Sequence, residues 1–219
     1  MMDVYAEALR YMGVRGEATD EIKALVERAM LWVKDVARPK NTLVRADIAV
    51  EPGAVSAFGR RFASRDLAAH LEGCREAVFL AATLGMPLER AMRSLQRQDM
   101  ALSVAADACA TALIESVADG ICARLQREER ESGHFLTARF SVGYGDWDLS
   151  DQKHLIAVTD ATRRIGVYLT TGGMMMPQKS VTAVMGISEE PLRDREFTLC
   201  DRTCETCALS RRCMYRSEK

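Results

Sequence analysis

Apolar residues along this chain follow two periods, and the helical one is the clearer. From Asp99 to about Arg130, Leu102, Ala106, Cys109, Leu113, Val117, Ile121 and Leu125 recur at steps of three or four, which keeps one stripe of a helix against a core. The spacing predicts a long, core-packed helix. Asp3 can cap a short helix bearing Val4, Leu9 and Met12. Thr19-Asp20 can cap a longer one, in which Ile22, Leu25, Val26, Ala29, Met30 and Val33 keep the same period until Pro39 stops it. Ser64 opens a brief helix toward His70, and Pro87 suits the first turn of another. Ser150 can cap a helix that runs to Arg164 and stops at Gly166.

Ala77 to Leu84 is continuous apolar sequence bounded by Gly85, too short and too uniform for a surface helix, and it predicts a buried central strand. Leu43 to Val50 reads as a strand with partial alternation, ended by the Glu51-Pro52-Gly53 turn. Phe135 to Ser141, Val167 to Thr171 and Lys179 to Ile187 read as three more. There is no internal repeat, low-complexity tract or flexible linker. The expectation is therefore a single α+β domain over residues 1–195, followed by a cysteine-rich tail at 196–219.

Composition narrows the function classes. The 219 residues are 48% hydrophobic, enough for a sizeable core, and 30 Lys and Arg against 31 Asp and Glu leave a net charge of -1. That balance lacks the basic excess a nucleic-acid binder sets against phosphates, so no nucleic-acid partner is expected. No uninterrupted stretch approaches the roughly 20 apolar residues of a membrane helix, and MMDVYAEALRYM lacks the pattern of a signal peptide. The chain is expected to be cytoplasmic, without a membrane partner, and its seven cysteines to be reduced.

Most catalytic signatures are missing. No Gly-x-Gly-x-x-Gly follows a strand, and there is no Walker loop, His-Glu-x-x-His or Gly-x-Ser-x-Gly. What stands out is Arg139-Phe140-Ser141-Val142-Gly143-Tyr144-Gly145-Asp146-Trp147, where an arginine leads from a strand into a glycine-rich loop with two aromatics. A guanidinium offers a bidentate clamp for a carboxylate, glycines let backbone amides approach closely, and aromatic rings offer faces to a base. A plain strand and glycine turn with a core tyrosine is the competing reading. On the long helix, Glu115 lies about 200° around from Leu113 and shares a small, polar face with Ala108, Thr111, Ala112 and Asp119. That carboxylate could serve a ligand's hydroxyls or ammonium, or belong to a solvated acidic face.

Taken in order, the alanine-rich helix with Glu115, then Arg139-x-x-x-Gly143-Tyr144, then Met176-Pro177-x-x-Ser180-Val181-Thr182-Ala183 resembles the S-adenosylmethionine-binding activation (reactivation) domain of cobalamin-dependent methionine synthase. The N-terminal part and Ala82-Thr83-Leu84-Gly85 look like the short stand-alone relatives of that domain. The resemblance implies a twisted, mainly antiparallel sheet packed by helices. It also implies that Glu115, Arg139, Ser141, Gly143 and Tyr144 hold S-adenosylmethionine. The implied role is reductive methylation of a cobalamin whose cobalt has been oxidised. No Asp-x-His-x-x-Gly motif is present, so the cobalamin would be carried by a partner methionine synthase or corrinoid protein, with a separate electron donor. The chain would contribute to methyltransferase activity by positioning the methyl donor, with no catalytic side chain of its own.

Cys200, Cys204, Cys207 and Cys213 form a second feature. Four thiolates so close can converge on a zinc ion or an iron-sulfur cluster. Cys200-x-x-x-Cys204-x-x-Cys207 has the spacing of the radical S-adenosylmethionine motif, but it falls in a C-terminal tail with no barrel behind it. The tail suggests an alternative function, a redox module delivering an electron to a corrinoid through a cysteine-bound cluster. A third reading is a noncatalytic binding protein that keeps the fold and has lost the cofactor.

Overall fold

The computed structural model describes residues 4–192. The expected cap at Asp3, the domain boundary at 195 and the cysteine centre lie outside the described residues. Helices α1 (Val4–Tyr11) and α2 (Asp20–Val36) come first, and the Thr19 side chain caps α2 by accepting from Ile22 N. Strand β1 (Lys40–Asp47) is followed by a meander of β2 (Ala49–Glu51), β3 (Ala54–Ala57) and β4 (Arg60–Ala63), then α3 (Arg65–His70) and β5 (Glu76–Thr83). Helices α4 (Met86–Gln98) and α5 (Met100–Glu131) precede the short β6 (Phe135–Leu136). Helices α6 (Gln152–Val158) and α7 (Ala161–Ile165), the hairpin β7 (Tyr168–Leu169) and β8 (Met175–Met176), and β9 (Ser180–Ser188) complete the order.

The main sheet runs β1-β5-β9-β6, antiparallel throughout, and helices pack on it, as the α+β expectation required. Its central strands explain the unbroken apolar run. Val78, Leu80 and Ala82 of β5 turn toward α2 and α5, while Ala77 and Phe79 turn to a second core with Phe62, Leu67, Trp147 and Leu155. Both faces are covered, so the period of two leaves no polar positions. In β9, Met185 and Ile187 join the first core and Val184 the second.

Helix α5 is the spine of the first core. Asp99 caps it through Leu102 N, and its alanines at 105, 106, 110 and 112 let neighbouring elements approach closely. An 18-residue window of this helix is apolar enough, by length and composition, to cross a membrane, although charged residues interrupt it. Much of that surface is packed against α1, α2, α4 and the sheet.

Four expected elements change. Leu43 to Val50 is split between two sheets: β1 ends at Asp47, and Ile48 N donates to Arg75 O as the chain turns into the meander. The β3–β4 hairpin, unread in the sequence, turns at Phe58 and Gly59, both at positive φ. The Phe135 to Ser141 strand pairs only at Phe135–Leu136 and again at the single bridge from Phe140 to Val184. Between them the Thr137 hydroxyl accepts from Gly186 N, and His70 Nε2 donates to Ala138 O. The helix expected from Ser150 to Arg164 begins instead as a 3₁₀ turn, Leu149–Asp151, capped by Asp148, and breaks into α6 and α7. At the break, Thr159 O accepts from the Thr42 hydroxyl and Asp160 adopts φ 50°. Gly166 does end α7, in the left-handed conformation expected of a helix stop. Val167 to Thr171 narrows to Tyr168–Leu169.

Candidate functional site

Arg139 sits where the interrupted strand faces α5. Its neighbour Phe140 is fixed by paired backbone bonds to Val184 and packs into the second core, which turns the Arg139 side chain to the opposite side of the sheet. There its Nη2 donates to Glu115 Oε2 at 3.0 Å and to Asp119 Oδ1 at 2.7 Å. The two carboxylates stand at i and i+4 on α5, on the face the helical period assigned to them. The fork expected to clamp a ligand carboxylate is thus met by carboxylates of the chain itself.

The charges of this cluster sum to -1. Burial alone would lower the Arg139 pKa, but Glu115 and Asp119 outweigh it and hold the guanidinium above its ordinary value. Burial raises the Asp119 carboxyl, Arg139 pulls it back, and the like charge of Glu115 adds to the rise. Among the described residues, Asp119 Oδ2 is buried without a hydrogen-bond partner. The Cys122 thiol, one turn deeper beside Met185, is pushed up to about 12 by burial and stays protonated.

Ser141, Gly143 and Tyr144 follow in a tight turn. Tyr144 N donates to Ser141 O, Gly143 N to Trp147 O, and Trp147 N to Tyr144 O. The turn therefore uses the Gly143 and Tyr144 amides within itself. It presents the Tyr144 ring, which is 58% exposed and edge-on to Phe140. Asp146 ties this loop to α3: it accepts from the Ser64 hydroxyl and from the amides of Arg65 and Asp66, while its own amide donates to Asp66 Oδ2. These bonds pull the Asp146 carboxyl down to about 2, with the Ser64 hydroxyl contributing most. Gly145, at φ 54°, lies so close that a β-carbon would collide with the Asp66 carboxylate. Trp147 is buried and donates through Nε1 to Asp151.

A groove of about 670 Å³ opens beside this face, between the end of α1, α4, the first half of α5 and the Pro177 to Lys179 segment. Thr111 lines it, one helical turn before Glu115, and Lys179 Nζ bonds both Thr111 and Asp107 there. None of the five motif residues lines the groove. Chemistry and shape therefore mark adjacent turns of α5, and the charged cluster is the better candidate because it holds one of the two buried polar atoms, with His154 Nε2, that lack a partner among the described residues.

Sequence reasoning missed the Asp146 clasp and its Asp66 partner. An aspartate after a glycine turn carries no signal by itself, and its capping role needs α3 brought alongside. It placed Asp119 on the face of Glu115 without giving it a role. Among the described residues no group of His, Cys, Asp and Glu is arranged to hold a metal ion, and Cys74, Cys109 and Cys122 are buried and unbridged.

Helices packed on an antiparallel sheet, with an arginine held against an acidic helix face and a Gly-Tyr turn following it on the α3 side, define the class. The sequence model of the vitamin B12 dependent methionine synthase activation domain matches residues 68–199, well over half of the chain, and the chain belongs to that family. A crystal structure described as the MetH reactivation domain bound to AdoHcy superposes with a TM-score of 0.62, covering 86% of this chain and 76% of that chain at 12% identity. At that identity the likeness establishes the fold. No curated protein matches the sequence.

Proposed function

We propose that this chain binds S-adenosylmethionine at the Arg139 face and serves the reductive methylation of cobalamin carried by a separate methionine synthase or corrinoid protein. The observation that carries the reading is the Glu115–Arg139–Asp119 cluster in a chain of the activation-domain family. S-adenosylmethionine bears a sulfonium, an ammonium and a carboxylate, net +1, and meets a cluster whose net charge is -1. The unmatched oxygen of Asp119 and the partly exposed Glu115 supply acceptors, Arg139 a donor, and the Tyr144 ring an exposed face for a base. The structure relative described as bound to AdoHcy supports a ligand of this type.

Bound S-adenosylmethionine supplies the methyl group, and the electron comes from a separate donor. The chain's own residues bind and orient the donor molecule. Asp146 fixes the turn that carries Tyr144 against the start of α3. The tail, as a separate segment from residue 196, is proposed to bind zinc or an iron-sulfur cluster through Cys200, Cys204, Cys207 and Cys213, on spacing alone. Titration calorimetry tests the ligand: S-adenosylmethionine should bind the wild-type chain in a saturable, near-stoichiometric way, and absence of heat from well-folded protein would remove the reading.

A further inference from the structure

Arg139 is held unevenly. One nitrogen, Nη2, bridges both carboxylates, and the bond to Asp119 is the shorter. The Glu115 side chain is 30% exposed and stands at the outside of the cluster, whereas that of Asp119 is 11% exposed and lies beneath it. Among the described residues Asp119 also carries a buried oxygen without a hydrogen-bond partner, a cost that a helix needing only packing at that position would avoid with an apolar residue.

We infer that Asp119 is a positioning residue that fixes the Arg139 guanidinium from below, so that Glu115 can turn from Arg139 to a ligand hydroxyl or ammonium without the arginine following it. The inference rests on the reading of this face as the S-adenosylmethionine site. Loss of Glu115 from the cluster leaves Arg139 bonded to Asp119. Loss of Asp119 leaves it tied only to the group for which the ligand competes.

Among the described residues, the charged and titratable groups around Asp119 are few. Arg139 faces it from the segment after β6, Glu115 and Cys122 from its own helix, and Tyr11 of α1 faces Glu115 in turn. Cys122 keeps its proton at any working pH. Because burial raises the Asp119 carboxyl, it takes up its proton at a higher pH than an ordinary aspartate, which releases the charge that holds Arg139.

The test measures S-adenosylmethionine affinity of the full chain from about pH 5 to 8 in wild type, Asp119→Asn, Asp119→Ala and Glu115→Gln. The ¹⁵N-detected guanidinium signal of Arg139 is followed without ligand in the same proteins. Asp119→Ala should weaken binding about tenfold or more, and Asp119→Asn, which keeps an oxygen for Nη2, should recover part of it. Wild-type affinity should fall as pH drops, while Asp119→Asn stays flat over that range. The Arg139 signal should broaden in Asp119→Ala and persist in Glu115→Gln. Equal affinities and pH profiles in wild type and Asp119→Asn would overturn the inference, as would an unchanged Arg139 signal in Asp119→Ala. If the wild type binds nothing, the parent reading falls, and the guanidinium signal alone decides whether Asp119 orients Arg139.

Discussion

Replacing Arg139 with alanine removes one cation and strands two acids. Breaking a buried ion pair from one side costs about 3–5 kcal/mol, because the remaining charge is left in a poor solvent. Glu115 is exposed enough to turn toward water, so the penalty falls mainly on Asp119 and comes to about 2–4 kcal/mol. For a chain of this size that is a fall of about 5–15 °C in Tm. Its pH dependence is the sharper signature. Without Arg139, burial and the like charge of Glu115 both raise the native Asp119 carboxyl above its unfolded value. The native state then favours the protonated form, whose stability is fully present below the unfolded value of about 3.9 and is lost as pH rises through the raised native value. The stability gap between wild type and Arg139→Ala should therefore widen from about pH 5 to pH 8, as read by circular-dichroism melts at half-unit steps. A Tm unchanged at pH 8, or a gap that stays constant across the range, would refute the account of this cluster as a buried, mutually dependent group.

Other consequences follow from the loop and the tail. Gly145→Ala should lower stability by about 2–3 kcal/mol, combining the left-handed penalty with a displaced Asp66 carboxylate, and should weaken S-adenosylmethionine binding; a melt and a titration check both. Since the Asp146 carboxyl is depressed to about 2, its contribution is present above its unfolded value of about 3.9 and is lost as pH falls through about 2. Acid unfolding of wild type should show a loss between about pH 4 and 2 that Asp146→Asn lacks. Metal analysis of anaerobically prepared protein should find zinc or iron close to stoichiometric, and its loss on replacing Cys204 and Cys207 with serine; less than about a tenth of an equivalent of either metal would leave the four cysteines as plain thiols.

The elements most legible in the sequence are those whose pattern is local. The stripe of α5 and the uniform run of β5 follow from periods of 3.6 and 2 within single segments, and the Thr19 cap from a residue three positions away. What was not legible depends on partners distant in sequence. Strand β1 ends where Ile48 meets Arg75, and α6 ends where Thr42 takes the carbonyl of Thr159, a bond across 117 positions. The site divides in the same way. Glu115 and Arg139 stand out as residue types in a pattern, but that Arg139 arrives already bonded to two acids is a fact of tertiary packing. The Gly143 and Tyr144 amides looked available because a sequence does not show that the turn consumes them.

The most direct test mixes this chain with a cobalt(II)-cobalamin methionine synthase lacking its own activation domain, an electron donor and methyl-labelled S-adenosylmethionine. Label should move to the partner's cobalamin and turnover should be restored, both requiring the chain and both reduced by Asp119→Ala. A folded chain that binds S-adenosylmethionine yet transfers no label and restores no turnover with any cobalamin-bearing partner tried would contradict the account.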